Sequence, residues 1–223
     1  MNWKENLWRY SMFVVGLYFL SAGVVLIVRS ALGTTPISSV NYVVSINSPL
    51  SLGTCTFLIN MLLIIGQFWL LRERRSRQDT VEILLQIPFS FVFAAFIDLN
   101  MVLTSGLQPT SYPMSLAILA AGCVVQAIGV VLEIKPRVAM MSAEAFVKYA
   151  SQRYNLEFGK CKVRFDVTLV LLAVILSLLF TRYVEGVREG SVIAACATGY
   201  IVSFLNNKIM TRRMLNRICS IWR

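Results

Sequence analysis

The chain contains no histidine. That absence removes His-based catalytic triads, imidazole metal ligands and a histidine proton relay from consideration. Charge is scarce as well: 14% of the 223 residues are Asp, Glu, Lys or Arg, against roughly 25% in a soluble domain of this size. The five cysteines (Cys55, Cys123, Cys161, Cys196 and Cys219) are scattered without CxxC spacing. An odd, scattered set is neither a disulfide framework nor a metal site. No nucleophile stands in the sequence beside a recognisable base, so an enzyme is not expected and no cofactor is implied.

What the chain has in abundance is apolar sequence, 57% of all residues. It is concentrated in runs at 10–28, 52–71, 89–103, 114–132, 167–180 and 191–205, several of them lengthened by their flanks. Runs of about 18 residues or more are long enough to cross a bilayer, and one small soluble core could not hide them all. Lipid offers a backbone no hydrogen bonds, so each run is expected to be helical. The alternation of a β-barrel strand is absent. These features predict an all-α integral membrane protein with six transmembrane helices.

The formal net charge is +10, and its distribution matters more than its size. Of the 21 Lys and Arg, 18 fall at 1–9, 72–79, 135–164 and 208–223. The other three, Arg29, Arg182 and Arg188, lie in the alternate connections. With six spans those four segments share one side, which the positive-inside rule makes cytoplasmic, with both termini there. The basic balance therefore points to anionic inner-leaflet lipid, at about 1 kcal/mol per near-surface cation, rather than to nucleic acid. The tail at 208–223 mixes Lys and Arg with Ile209, Leu215, Ile218 and Trp222, the pattern of an amphipathic helix on that leaflet.

Sliding the sequence along itself gives an ungapped match at an offset of 106 residues, with 16–63 overlaying 122–169. Ten of the 48 positions are identical. Gly16 falls on Gly122, residues 23–26 and 129–132 both read Gly-Val-Val-Leu, Gly53 falls on Gly159, and Cys55 on Cys161. The organisation this predicts is two three-helix repeats, over 1–107 and 108–207, followed by the tail at 208–223. Three spans per half make the second copy inverted, an arrangement found in secondary transporters with sites near the midplane. The first run has Lys4 and Arg9 before it and Ser21, Ala22 and Gly23 inside it, as a signal sequence would. Its match to a later helix argues against cleavage.

The connection after the first span of each repeat is too long and too apolar for a simple loop. In the first, Gly33 breaks the helix, and Thr35 can cap a new one with Pro36 at its first position. In the second, Lys135 and Pro136 end the helix, and Ser142 could cap a short one running to about Ser151. Each reads either as a half-helix dipping into the membrane or as an amphipathic helix lying in the interface. If they dip, their N-termini are anion sites. Thr34, Thr35, Ser38, Ser39 and Ser142 are then hydrogen-bonding contacts, and Arg29 with Lys135 or Arg137 supplies charge.

Polar groups within spans are costly and mark candidate sites. Asp98 lies toward the outer end of the third span with Asn100 nearby, Asp166 at the inner start of the fifth, and Asn60 at the equivalent place in the second. Asp98 and Asp166 are the candidates for coupling to protons or sodium. Each also has a simpler reading: Asp98 reaching the outer headgroups, Asp166 paired with Lys162, and likewise Glu133 paired with Arg137. Glu82 and Gln86 lie at the inner start of the third span, ahead of a kink expected at Pro88.

Several of these residues carry a family resemblance. Ala-Leu-Gly-Thr-Thr-Pro at 31–36, Lys-Pro-Arg-Val-Ala-Met-Met at 135–141, Lys162 with Asp166, and Arg-Glu-Gly-Ser at 188–191 resemble the YczE/YitT-type bacterial membrane proteins. The resemblance covers about 10–207. The chain departs from the pattern at Ile37 and Ser38, where those proteins have Trp-Asp, and at Val138, where they have an acid. It implies a multi-pass protein of the bacterial cytoplasmic membrane and says little about a substrate. The function expected is a small transporter or channel for a small, anionic solute. The alternative is a non-transporting substrate-capture subunit or scaffold, with a second copy or a membrane partner.

Overall fold

The computed structural model of the chain describes residues 3–72, 76–136 and 138–205. Among these, eight α-helices follow one another without a strand: α1 Trp3–Arg29, α2 Pro36–Ile46, α3 Leu52–Leu70, α4 Arg77–Leu103, α5 Tyr112–Ile134, α6 Ser142–Arg153, α7 Phe158–Thr181 and α8 Glu189–Phe204. Five of them, α1, α3, α4, α5 and α7, are long and apolar enough to cross a membrane. The protein is thus a multi-span, all-helical membrane protein. The described part of α8 has 16 residues, short of the roughly 20 that cross a hydrocarbon core. Among the described residues five candidate spans therefore stand where the sequence predicts six, and the sixth predicted run, at 191–205, is α8. The basic tail at 208–223 lies outside the described residues.

Two short helices separate the long ones, each where a break was expected. From Pro36 to Ser142 and from Leu52 to Phe158 the spacing is 106 residues in both cases. Gly33 adopts φ +130, a conformation that side chains rarely tolerate, and turns the chain between α1 and α2. Pro88 sits inside α4.

α1 and α5 cross at the centre. Burial takes 61% of the apolar stretch of α1 but only 11% of that of α7, which leaves α7 to face lipid. The crossing is close because glycines line it. A methyl group on Gly23 would collide with the backbone of Gln126, and one on Gly129 with the backbone of Leu20. Gly16 lies against the backbone of Leu132 and Glu133, and Gly122 against Ile27. Without a hydrophobic drive between helices in lipid, such small-residue contacts are what hold spans together.

Around this crossing α4 packs on α1 and α8 on α5. The short helices pack outward from their neighbours in sequence: α2 lies on α3 and on α7, and α6 on α7 and on α3. Val40 and Val43 of α2 meet Leu169 and Ala173 of α7, and Ala145 and Tyr149 of α6 meet Ile64 of α3 and Ile83 of α4.

Polar contacts define two ends of the bundle. At one, Arg9 Nε donates to Pro136 O at 2.9 Å, Arg153 Nη1 to Leu70 O at 2.8 Å, and Lys148 pairs with Glu82 at 3.4 Å. Segments 1–9 and 135–164, and the end of α3 that leads to 72–79, meet there. At the other end, Arg29 Nη2 donates to Met101 O at 2.7 Å and Arg188 Nη1 to Ala31 O at 3.2 Å.

Candidate functional site

The break before α2 is held by the loop before α8. Thr34, 2% exposed, donates its N–H to Ser191 Oγ at 3.1 Å and its hydroxyl to Gly186 O at 2.8 Å. Gly190 N donates to Leu32 O at 2.9 Å. Thr35 is the N-cap residue of α2 with Pro36 following, as the sequence predicts, but its side chain caps nothing. Its hydroxyl instead donates to Ser38 Oγ at 2.9 Å. Ser39 donates to Pro36 O at 2.7 Å, within its own helix.

The interior polar groups lie along α3. Thr56, Asn60 and Gln67 are buried and spaced four and then seven residues apart, which puts them on one face. Asn41 of α2 donates from Nδ2 to Thr56 Oγ1 at 3.0 Å. Ser142 of α6 donates to Asn60 Oδ1 at 2.8 Å. Gln67 and Gln86 exchange amide hydrogen bonds at 2.9 and 3.0 Å, and Gln67 Nε2 also donates to Ser142 O at 3.0 Å. Two atoms on this line have no partner: Asn41 Oδ1 and Asn60 Nδ2.

Met141, not Ser142, is the N-cap residue of α6, and the helix runs two residues beyond Ser151. The extended backbone at Met141 starts the helix one residue earlier than a Ser142 cap would, which frees the Ser142 hydroxyl for Asn60. Glu133, in the last turn of α5, is 3% exposed. Glu144 stands in the first turn of α6. Burial pushes its carboxyl up from the ordinary range, Lys162 pulls it down and Asp166 adds to the rise. Burial also raises the Tyr149 phenol, with Glu82 adding to the effect.

Arg29, Asp98 and Asp166 each have partners of their own. Arg29 binds Met101 O and Thr104 Oγ1, at the end of α4. Asp98 accepts from Gly53 N at 2.8 Å and from Ser51 Oγ at 2.7 Å, at the start of α3. Asp166 pairs with Lys162 at 2.8 Å. Lys135 follows α5 as its C-cap residue, and Arg137 lies outside the described residues.

The sequence profile of a family of unknown function, DUF6198, matches residues 7–207. The chain belongs to that family. No curated protein and no solved structure matches it, and no named relative ties it to the YczE/YitT-type proteins.

In this DUF6198 member the predicted site residues divide by location. Asn60 and Ser142 are brought into direct contact, while Thr34, Thr35, Ser38 and Ser39 surround the start of α2. Arg29 and Asp98 serve the ends of α4 and α3. Sequence reading missed Asn41, Thr56, Gln67 and Glu144. The helical spacing of Thr56, Asn60 and Gln67 within an apolar run was the available signal for the α3 line. Nothing local marks Asn41, whose role depends on α2 packing against α3.

Proposed function

We propose that the protein is a small transporter or channel for a small polar solute, bound inside the fold where α2, α3 and α6 meet. The observation that carries this reading is the pair of buried, unpartnered atoms Asn41 Oδ1 and Asn60 Nδ2 on the α3 polar line. Leaving such a group unsatisfied costs about 1–3 kcal/mol. One acceptor and one donor left open along a single line suit a solute that both donates and accepts.

Support for an inverted-repeat arrangement comes from the contacts of the central crossing. Gly16 against Leu132 and Glu133 corresponds, at an offset of 106, to Gly122 against Leu26 and Ile27, and Gly122 touches Ile27. Gly23 against Gln126 corresponds likewise to Gly129 against Leu20. The matched starts of α2 and α6, and the way each lies on α3 and α7, agree with the same relation. Rocking of one half against the other about this crossing would expose the α3 line to each side in turn. With α8 as a sixth span, the distribution of basic segments supports both termini in the cytoplasm of a bacterial cell, beside anionic lipid.

A second reading, a capture subunit or scaffold within a larger membrane complex, is favoured by one feature. α7 is only 11% buried over its apolar stretch, which leaves a long flank for a partner helix or a second copy.

A thermal-shift screen of the purified protein against small anions, zwitterions and cations separates the two. A ligand that binds only the folded state raises apparent stability. A dose-dependent rise with one solute class, lost in Asn60→Ala, supports the transporter reading. No rise with any class, together with a stoichiometric protein partner on purification, supports the second.

A further inference from the structure

We propose that a cavity between α3 and α7 holds one acyl chain of a membrane phospholipid, at the seam between the two halves of the chain. The site shares no lining residue with the polar line on α3 and goes beyond the transporter reading.

α3 and α7 each pack on α2 and on α6 rather than closely on each other. The space left between them is a cavity of about 420 Å³. It is lined by Val40 and Val44 of α2, five residues of α3 between Cys55 and Leu63, and Leu169 and Leu172 of α7. Leu63 and Leu169 are equivalent at the 106-residue offset, so the cavity sits where the first half meets the second. Val40, Cys55 and Leu169 are buried and form its inner wall, while Leu58, Leu62 and Leu172 are exposed at its rim. The opening therefore lies on the flank of two membrane-spanning helices, where the surrounding medium is lipid hydrocarbon.

Chemistry and size select the occupant. Every lining side chain is a hydrocarbon apart from the Cys55 thiol, a weak donor and acceptor. A held water needs about two to four polar partners, and a polar solute would lose its hydrogen bonds there. A partner helix is too wide. Cys55 and Leu63 stand about 12 Å apart along α3. A helix, about 10–12 Å across with its side chains, fills roughly 1,000 Å³ over that length. A single hydrocarbon chain is narrow enough. The direction fits as well. Cys55 lies in the first turn of α3, at the end of the bundle where Asp98 holds Gly53 and Arg29 holds Met101 O. Leu63 and Leu169 lie near the middles of their helices. The cavity thus runs from one end of the bundle toward the midplane, close to the depth of one leaflet of a ~30 Å core. That is the course of an acyl chain below its headgroup.

The test reconstitutes the purified full chain in vesicles of phosphatidylethanolamine and phosphatidylglycerol with a trace of phospholipid bearing a diazirine-tagged acyl chain. Illumination is followed by peptide mass spectrometry. The expected result is labelling of Val40, Cys55 or Leu169, which lipid at the outer surface of the bundle does not reach. Val44→Phe, which fills the cavity from α2, should remove that labelling and leave labelling of the exposed Leu179 unchanged. Label confined to exposed positions such as Leu179 overturns the site, and so does inner-wall labelling that Val44→Phe does not reduce. If that variant does not fold, the wild-type pattern decides alone. A tagged free fatty acid should label the inner wall less than the phospholipid does, and the reverse order overturns the phospholipid assignment. A second copy crosslinked through α3 and α7, with the inner wall unlabelled, would put protein in the cavity and overturn it too. None of these outcomes touches the polar line on α3, so the transporter reading stands or falls separately.

Discussion

The Asp98 carboxylate on α4 accepts the backbone N–H of Gly53 at 2.8 Å and so closes the first turn of α3. Its second oxygen takes the Ser51 hydroxyl at 2.7 Å, and Ser51 Oγ in turn accepts from Thr54 N. A residue that reads in sequence as an ion-coupling candidate is tied to helix capping. Asp98→Ala is expected to cost about 1–2 kcal/mol, the usual range for a lost cap, seen as a lower unfolding midpoint. Solute flux at a temperature where the variant is folded should persist, and its complete loss would return Asp98 to the coupling candidates.

Arg29 makes a similar bond at the far end of α4, to Met101 O. Removing it strips a charged donor from a helix C-terminus, a change of about 1.5–3 kcal/mol for a hydrogen bond to a charged group. Arg29→Ala should lower thermal stability while the affinity for any solute found in the thermal-shift screen stays within error. A drop in affinity at unchanged stability would put the guanidinium in the site.

The Gln67–Gln86 pair offers a cycle. Gln67→Leu leaves the Gln86 amide and Ser142 O without their partner, at about 1–3 kcal/mol. The double change Gln67→Leu and Gln86→Leu should recover part of that loss, because no amide is then stranded. Strict additivity, measured by denaturation in detergent, would mean that the two side chains do not interact.

At the central crossing, Gly23→Val must push Gln126 away and Gly129→Val must push Leu20 away. Overpacking of this kind costs about 1–3 kcal/mol or more. Gly199→Val is the control, since nothing lies within 4 Å of its added carbon. Equal stability of all three variants would rule out the close crossing.

Much of this architecture was legible in the sequence. Apolar run length gave the membrane class, and Gly33 with Pro36 and Pro136 gave the breaks. Whether the run at 191–205, closed by Asn206 and Asn207, crosses the membrane was not legible. Nor were the partners of the charged residues. Arg29 and Asp98 are satisfied by backbone groups some 45 to 72 residues away, and only the packing of α1 and α3 on α4 brings those together. Ser142 was legible as a hydrogen-bonding group, yet its partner Asn60 lies 82 residues away.

Flux through the α3 polar line tests the central claim most directly. Purified protein in liposomes, with a labelled solute of the class that stabilises it, should show uptake that Asn60→Ala abolishes and Gly199→Val leaves intact. Uptake equal to empty liposomes for every stabilising solute, or uptake indifferent to Asn60→Ala, would contradict the account.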